Sequence, residues 1–182
     1  VNSSSSVESG TAVAKSLGNG SIYMRGDISK KDDCVRIIDE TIAKYGKLDV
    51  LVNNAGWTTP IPHHDLEALT DEIFLKTFEV NVFGTWWLTK AAMRLLRESN
   101  DGHVVNITSV AGVRPVGSSI AYSMTKAALN QIVRTAAVEL GRSHREAICV
   151  ALHPGTVDTP LTLPFRKAGL DVQSPDSAAE RL

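Results

Sequence analysis

Tyr122 stands thirteen positions after Ser109, and Lys126 stands four positions after Tyr122. An alcohol, a phenol and an ammonium are the residue types needed to move a proton onto or off an oxygen atom. The stretch Tyr122-Ser123-Met124-Thr125-Lys126 opens an apolar, Ala-rich segment. If that segment is helical, Tyr122 and Lys126 share a face one turn apart. An unperturbed phenol has a pKa of about 10, too high to trade protons at neutral pH. A nearby cation favours the phenolate. Bringing the value to about 7 takes roughly 4 kcal/mol, at about 1.36 kcal/mol per unit. That is more than one Lys supplies, so a second positive charge would have to share the task. An isolated Tyr-x-x-x-Lys is also what a Tyr and a Lys on a helix surface look like, so its meaning depends on its neighbours.

Several neighbours carry chemistry of their own. In Asn53-Asn54-Ala55-Gly56, the last two residues let a ligand lie against bare backbone. Asn53 and Asn54 either bond a ribose, bridge neighbouring strand ends or serve as turn residues. Ser109 either faces the same crevice or bonds its own backbone. Nucleophilic hydrolysis is disfavoured, because no Gly-x-Ser-x-Gly turn surrounds it. Asn81 lies in Glu-Val-Asn-Val-Phe-Gly, inside a long helical pattern. Asn competes with the helix backbone, so a kink is expected there. That kink either frees a carbonyl to hold a water or accommodates a buried structural Asn. His63-His64 has no accompanying carboxylate or Cys cluster. Adjacent positions do not suit joint chelation, so it reads as loop surface and no metal site is expected. Trp57, Trp86 and Trp87 read as packing or interface residues, with a pocket wall as the alternative.

These residues need elements to position them. Ser5 or Ser6 caps a helix through Leu17, ended by Gly18. Ser21 to Arg25 reads as a short strand with Ile22 and Met24 inward. Ser29 reads as the cap of a helix that repeats Val35, Ile38 and Ile42 and stops at Gly46. Leu48 to Val52, Val104 to Thr108 and Ile148 to Leu152 read as apolar strands. A helical region spans Thr70 to Arg97, broken near Gly84, and another runs from Ile120 to Leu140 and stops at Gly141. The chain closes on a helix-like Ser-Pro-Asp-Ser-Ala-Ala-Glu-Arg-Leu. Strands apolar on both faces, alternating with amphipathic helices, predict an α/β fold with a doubly wound parallel sheet covered on two sides. Ligands bind such sheets beyond the carboxyl ends of the strands. Asp27, Asn53 to Gly56, Ser109 and Pro154 to Thr159 all follow predicted strand ends.

The 182 residues suffice for one domain, and 43% hydrophobic with 21% charged residues is ordinary for a globular protein. A net charge of −1 gives no electrostatic case for nucleic acid or an anionic membrane. No apolar run approaches transmembrane length. Cys34 and Cys149 show no paired spacing, so a reduced, cytoplasmic setting is expected.

Taken in order, Asp27-Ile28, Asn53-Asn54-Ala55-Gly56, Asn81, Ser109, Tyr122-x-x-x-Lys126 and Pro154-Gly155-x-Val157-x-Thr159 resemble the short-chain dehydrogenase/reductase family, from Val1 to Thr159. The resemblance implies a Rossmann-like sheet and a hydride transfer between NAD(P)(H) and a carbonyl or secondary alcohol. It implies Tyr122 as general acid/base and Lys126 as the group that lowers its pKa and holds the nicotinamide ribose. Ser109 would bond the substrate carbonyl, and Asn81 would position a water in a proton relay. Asp27 and Ile28 would contact the adenine. Asn53, Asn54, Ala55 and Gly56 would line the adenosine side. Val157 and Thr159 would bind the nicotinamide carboxamide, with Pro154 and Gly155 beside them on the cofactor. Ser3 falls where the family reads its cofactor, and Asn2-Ser3-Ser4 carries no carboxylate, so NADP is expected ahead of NAD. A homodimer or homotetramer is expected as well. The family's Gly-rich turn for the pyrophosphate and its last strand have no counterpart here. The chain therefore reads as one partial Rossmann-type domain over 1–182, incomplete at both ends, and weak cofactor binding is expected of it. A non-catalytic nucleotide-binding or regulatory protein on this fold is the alternative. The full Asn81, Ser109, Tyr122 and Lys126 set favours the enzyme, because a sensor has no need of all four.

Overall fold

Leu51, Val104 and Cys149 stand side by side across three parallel strands. The computed structural model that shows this describes residues 6–99, 101–143, 148–159, 161–167 and 171–180. The strands are β1 (Val50–Asn53), β2 (His103–Ile107) and β3 (Ile148–Leu152), in the order β1-β2-β3. The link from β1 to β2 contains α3 (Asp71–Phe78), a π-helical turn (Glu79–Gly84) and α4 (Thr85–Glu98). The link from β2 to β3 contains a short 3-10 turn (Val110–Gly112) and α5 (Ile120–Ser143). Before the sheet come α1 (Val7–Leu17) and α2 (Lys31–Tyr45); after it come α6 (Leu163–Lys167) and α7 (Pro175–Ala179). This is the expected Rossmann-like parallel α/β arrangement.

The core sits on one face of the sheet. Ile38 of α2 and Ala92 and Leu96 of α4 pack on Leu51 and Val104. Parallel strands must be joined by such crossovers, and burial of both partners' apolar stripes holds them. On the opposite face Val50 and Val52 are 49% and 55% exposed, and Ile148 and Val150 are also exposed. The apolar character that predicts a second helical layer is therefore present, while the described helices that pack on the strands, α2, α4 and α5, leave those side chains open. Among the described residues no helix is long and apolar enough to cross a membrane.

Several local expectations hold. Ser6 caps α1 by accepting from Ser9 N, and Gly18 ends it at φ 61°. Thr70 caps α3, and Ser174 caps α7. The break near Gly84 is real: the chain winds one π turn there before resuming as α4.

Other expectations need correction. Ser21–Arg25 forms no ladder with the three described strands; only Tyr23 occupies a bridge position, although Met24 is buried as expected. Ser29 does not cap α2. Asp27 takes over the turn instead, accepting from Ser29 N at 3.0 Å and from the Ser29 hydroxyl at 2.7 Å, and the helix starts after Lys30. A carboxylate two residues upstream competes well for those donors. The buried stripe of α2 is Cys34, Ile37, Ile38 and Thr41, one residue round from Val35 and Ile42. Helix α5 runs on through Gly141 to Ser143. Its buried residues include Thr125, Lys126 and Asn130, whereas Ala127 is exposed.

Candidate active site

Strand β2 delivers Ser109 to the sheet's carboxyl edge in extended backbone, φ −169°. The Ser109 Oγ accepts from Ala111 N at 3.2 Å and so caps the 3-10 turn. The expected alternative, a serine bonded to its own backbone, is thus realised. It does not consume the hydroxyl, since an oxygen with two lone pairs and one hydrogen serves more than one partner. The same hydroxyl also acts on the Tyr122 phenol, drawing its pKa down.

Tyr122 sits in the first turn of α5, its N–H donating to the Ser119 Oγ at 3.2 Å. That buried serine starts the helix and was not legible as a cap among Gly117-Ser118-Ser119. Gly117, at φ 123°, brings the preceding turn close to the ring: a Cβ there would lie 3.6 Å from Tyr122 Cδ1 and 2.8 Å from the Ala111 Cβ. Burial raises the Tyr122 pKa above its ordinary value, and the Ser109 hydroxyl offsets part of that rise.

Lys126 lies one turn on and is only 3% exposed. Its Nζ is 5.5 Å from the centroid of the Tyr122 ring and donates to the main-chain carbonyl of Ile107 at 2.8 Å. Burial pushes its pKa down to about 8. The expectation that this cation lowers the phenol's pKa is not met in this arrangement. The ammonium stacks over the ring rather than meeting the hydroxyl, and desolvation dominates both groups.

Asn81 is fully buried in the π turn. Its Oδ1 accepts from Trp57 N at 2.7 Å, and its Nδ2 donates to Trp57 O at 2.9 Å and to Thr125 Oγ1 at 3.1 Å. Its own carbonyl accepts from the Thr85 hydroxyl at 3.0 Å. A π turn releases main-chain acceptors, and here a threonine one turn on takes this one. The side chain ties the loop after β1 to α5, which is the structural alternative, at the centre of the site.

That loop brings Gly56 beside both groups. A Cβ on Gly56 would stand 3.5 Å from Asn81 Oδ1 and 3.8 Å from Lys126 Nζ. Asn54, Ala55 and Gly56 are exposed, as a ligand-binding stretch requires. Asn53 is different. It points under the sheet, where its Nδ2 donates to Asn106 Oδ1 at 3.0 Å and to Thr89 Oγ1 at 3.2 Å. Of its open alternatives, bridging the strand ends is the one realised, and its side chain does not reach the crevice.

The remaining expected residues spread along the same edge. One oxygen of Asp27 is engaged by Ser29, and the Asp27 N–H donates to Asp33 Oδ2 at 2.8 Å. Ile28 is buried, and its carbonyl would be 2.6 Å from a Cβ on Gly84, so it packs against the end of the π turn. After β3, Pro154 is half-buried and Gly155 exposed. Val157 bridges Gln173, and the Thr159 N–H donates to Thr162 Oγ1 at 2.9 Å. Ser3 lies outside the described residues. Trp57 stacks under the Lys76 ammonium at 4.5 Å, Trp86 is exposed, and Trp87 meets Phe83 at 6.0 Å. His63 and His64 are exposed, and no metal-holding group of His, Cys, Asp or Glu exists among the described residues. Sequence reasoning missed Thr108 and His153, which meet at 2.9 Å beside Ser109. Forty-five positions separate them, and only the pairing of β2 with β3 brings them together.

Ser109, Tyr122, Lys126, Asn81 and Gly56 therefore converge at one edge of the sheet: two hydroxyls, a buried ammonium and bare backbone. The family model described as short chain dehydrogenase matches residues 1–169. A Streptomyces violaceoruber protein assigned as ketoacyl reductase 2 of the granaticin polyketide synthase is 44% identical over 162 residues, which is 89% of this chain and 64% of that protein's length. A 3-ketoacyl-(acyl-carrier-protein) reductase from Brucella melitensis, solved with NADH, superposes with a TM-score of 0.86 at 26% identity, covering 98% of this chain and 76% of that one. ElxO solved with NADP superposes at 0.78 with 26% identity, covering 98% and 71%.

Proposed function

The chain belongs to the short-chain dehydrogenase family, and from that membership we propose that it is an oxidoreductase acting between a nicotinamide dinucleotide and a carbonyl or secondary-alcohol substrate. Its own groups fit such a cofactor. The Lys126 ammonium has three hydrogens, and its one hydrogen-bond partner among the described residues is the Ile107 carbonyl. Gly56 puts no side chain in front of it. A buried donor with hydrogens to spare, facing bare backbone, suits a sugar diol. Asn54, Ala55 and Gly56 would line the adenosine side, Asp27 and Ile28 the adenine, and Pro154, Gly155, Val157 and Thr159 the carboxamide end.

When bound, the cofactor supplies or takes the hydride. The protein supplies orientation and a proton. Burial keeps Tyr122 in its phenol form at neutral pH, so it is the donor to the substrate oxygen. The Ala111 N–H occupies one lone pair of Ser109 Oγ, which leaves the hydroxyl hydrogen to bond the same oxygen. Lys126, beneath the Tyr122 ring, returns a proton toward the phenol, and Asn81 holds the loop and helix that frame the two, with a water as the onward relay. The observation that carries this reading is the buried Lys126 ammonium 5.5 Å from the centre of the Tyr122 ring, one helical turn away and at the same edge as Ser109.

NADP is proposed ahead of NAD because Asn2-Ser3-Ser4 carries no carboxylate to repel a 2′-phosphate. A cytoplasmic homodimer or homotetramer is proposed with it. The test is an assay of the whole protein at the reduced-nicotinamide absorbance over a panel of ketones and secondary alcohols, alongside Tyr122→Phe. Turnover should fall by about 100-fold or more with cofactor affinity retained. Undiminished turnover in that variant would end the proposal.

A further inference from the structure

Thr108, Ser109, Leu152 and His153 are linked by hydrogen bonds whose proton positions can be counted. Thr108 Oγ1 lies 2.9 Å from the Leu152 carbonyl, and only the hydroxyl can donate there. That contact uses its single hydrogen. Thr108 Oγ1 also lies 2.9 Å from His153 Nδ1, so in this second contact the oxygen accepts and the imidazole donates. The Ser109 carbonyl stands 3.3 Å from the same Nδ1 and can only accept. Both contacts demand the same tautomer, with the hydrogen on Nδ1. The Thr108 N–H adds a backbone bond to Leu152 O at 2.8 Å, which locks the two strand ends at this level.

We propose that His153 is a positioning residue for Ser109: its Nδ1–H, shared between the Thr108 hydroxyl and the Ser109 carbonyl, fixes the peptide that carries the site's serine against the end of β3. The inference rests on the proposed oxidoreductase reading and extends it to a residue outside the Ser-Tyr-Lys set. Ser109 is then held at Oγ by Ala111 N and at its carbonyl by both the Gly112 N–H, at 3.0 Å within the 3-10 turn, and His153, which alone ties it to the end of β3. His153 is exposed, so the core does not require an imidazole there. Displacing a reacting group by about 1 Å can cost as much as 100-fold in rate, so even a small release of this peptide is readable in turnover.

Side-chain geometry gives a sharp test. In Asn the amide nitrogen is attached to Cγ, like Nδ1 of His, whereas in Gln it sits one atom farther out. His153→Ala and His153→Gln should lower kcat roughly threefold to tenfold with cofactor affinity unchanged, and His153→Asn should restore it to within about twofold of wild type. Wild-type kcat in His153→Ala, or equal losses in Asn and Gln, would overturn the inference. A second measurement is independent of turnover: nitrogen NMR of the whole protein should show the His153 imidazole protonated at Nδ1. Protonation at Nε2 alone would also overturn the inference. If the wild type turns over nothing in the panel, the proposed function fails, and the NMR result still decides the tautomer.

Discussion

The Lys126 ammonium is hydrogen-bonded to the Ile107 carbonyl at 2.8 Å, so the basic member of the Tyr-Lys pair is anchored to the strand that leads into Ser109. Helix α5 and strand β2 thereby share one polar contact in an otherwise desolvated place, and a charge held there costs stability.

The pKa of Lys126 falls from 10.5 to about 8 on folding. At about 1.36 kcal/mol per unit, that makes the charged form less stable in the fold by about 3 kcal/mol at neutral pH. Between the two values the unfolded chain binds more protons, so stability rises with pH from about 8 to 10.5. Lys126→Met removes the penalty and leaves the Ile107 carbonyl without its donor, a loss of about 1 kcal/mol. The variant should be about 1–3 kcal/mol more stable than wild type in urea unfolding at pH 7, with the advantage shrinking toward pH 10, and it should be inactive.

Tyr122 titrates above its ordinary value because it is buried. Carbonyl reduction uses the phenol, so its rate should be flat through the neutral range. Alcohol oxidation needs the phenolate and should climb steadily as the pH is raised, by up to about tenfold per pH unit. Initial rates in the two directions across a pH series check this. A flat oxidation profile would count against Tyr122 as the base.

Asn81 makes three side-chain bonds in a fully buried position. Asn81→Ala strands the Trp57 N–H and carbonyl and should destabilise the protein by about 2–4 kcal/mol, measured by urea denaturation. Asn81→Asp keeps the acceptor for Trp57 N and loses both donations, so stability alone does not distinguish it from Ala. It also places a carboxylate near Lys126, and the Lys126 pKa should rise, restoring the flat stability profile between pH 8 and 10.

Gly56 tolerates one carbon, since an added Cβ would sit at ordinary contact distances from Asn81 and Lys126. Larger branches would fill the space in front of the ammonium. Gly56→Val should weaken cofactor binding by roughly tenfold or more in titration calorimetry while shifting stability by less than about 1 kcal/mol.

The sheet, the order of elements and the Ser109, Tyr122 and Lys126 cluster were legible because they depend on local periodicity and fixed helical spacing. The π turn at Asn81 was legible as a kink, since Asn in a helix interior signals competition with the backbone. What was not legible depends on contacts between distant residues. Asn53 looked like a ligand residue, but its burial follows from where Thr89 and Asn106 arrive after the crossover. The Ser29 cap failed because the neighbouring Asp27 outcompetes it. The Thr108–His153 contact depends on the register of β2 with β3. The raised Tyr122 pKa depends on how deeply α5 packs, which spacing alone does not reveal.

The amide pair Asn53–Asn106 spans β1 and β2 at directly opposed positions. Sliding one strand by a single residue would turn one amide outward and strand its mate among aliphatic groups. The pair thus works as a spirit level between the two strands: it makes them finish flush, so the bare backbone at Gly56 and the alcohol at Ser109 emerge at one height, facing the same incoming molecule.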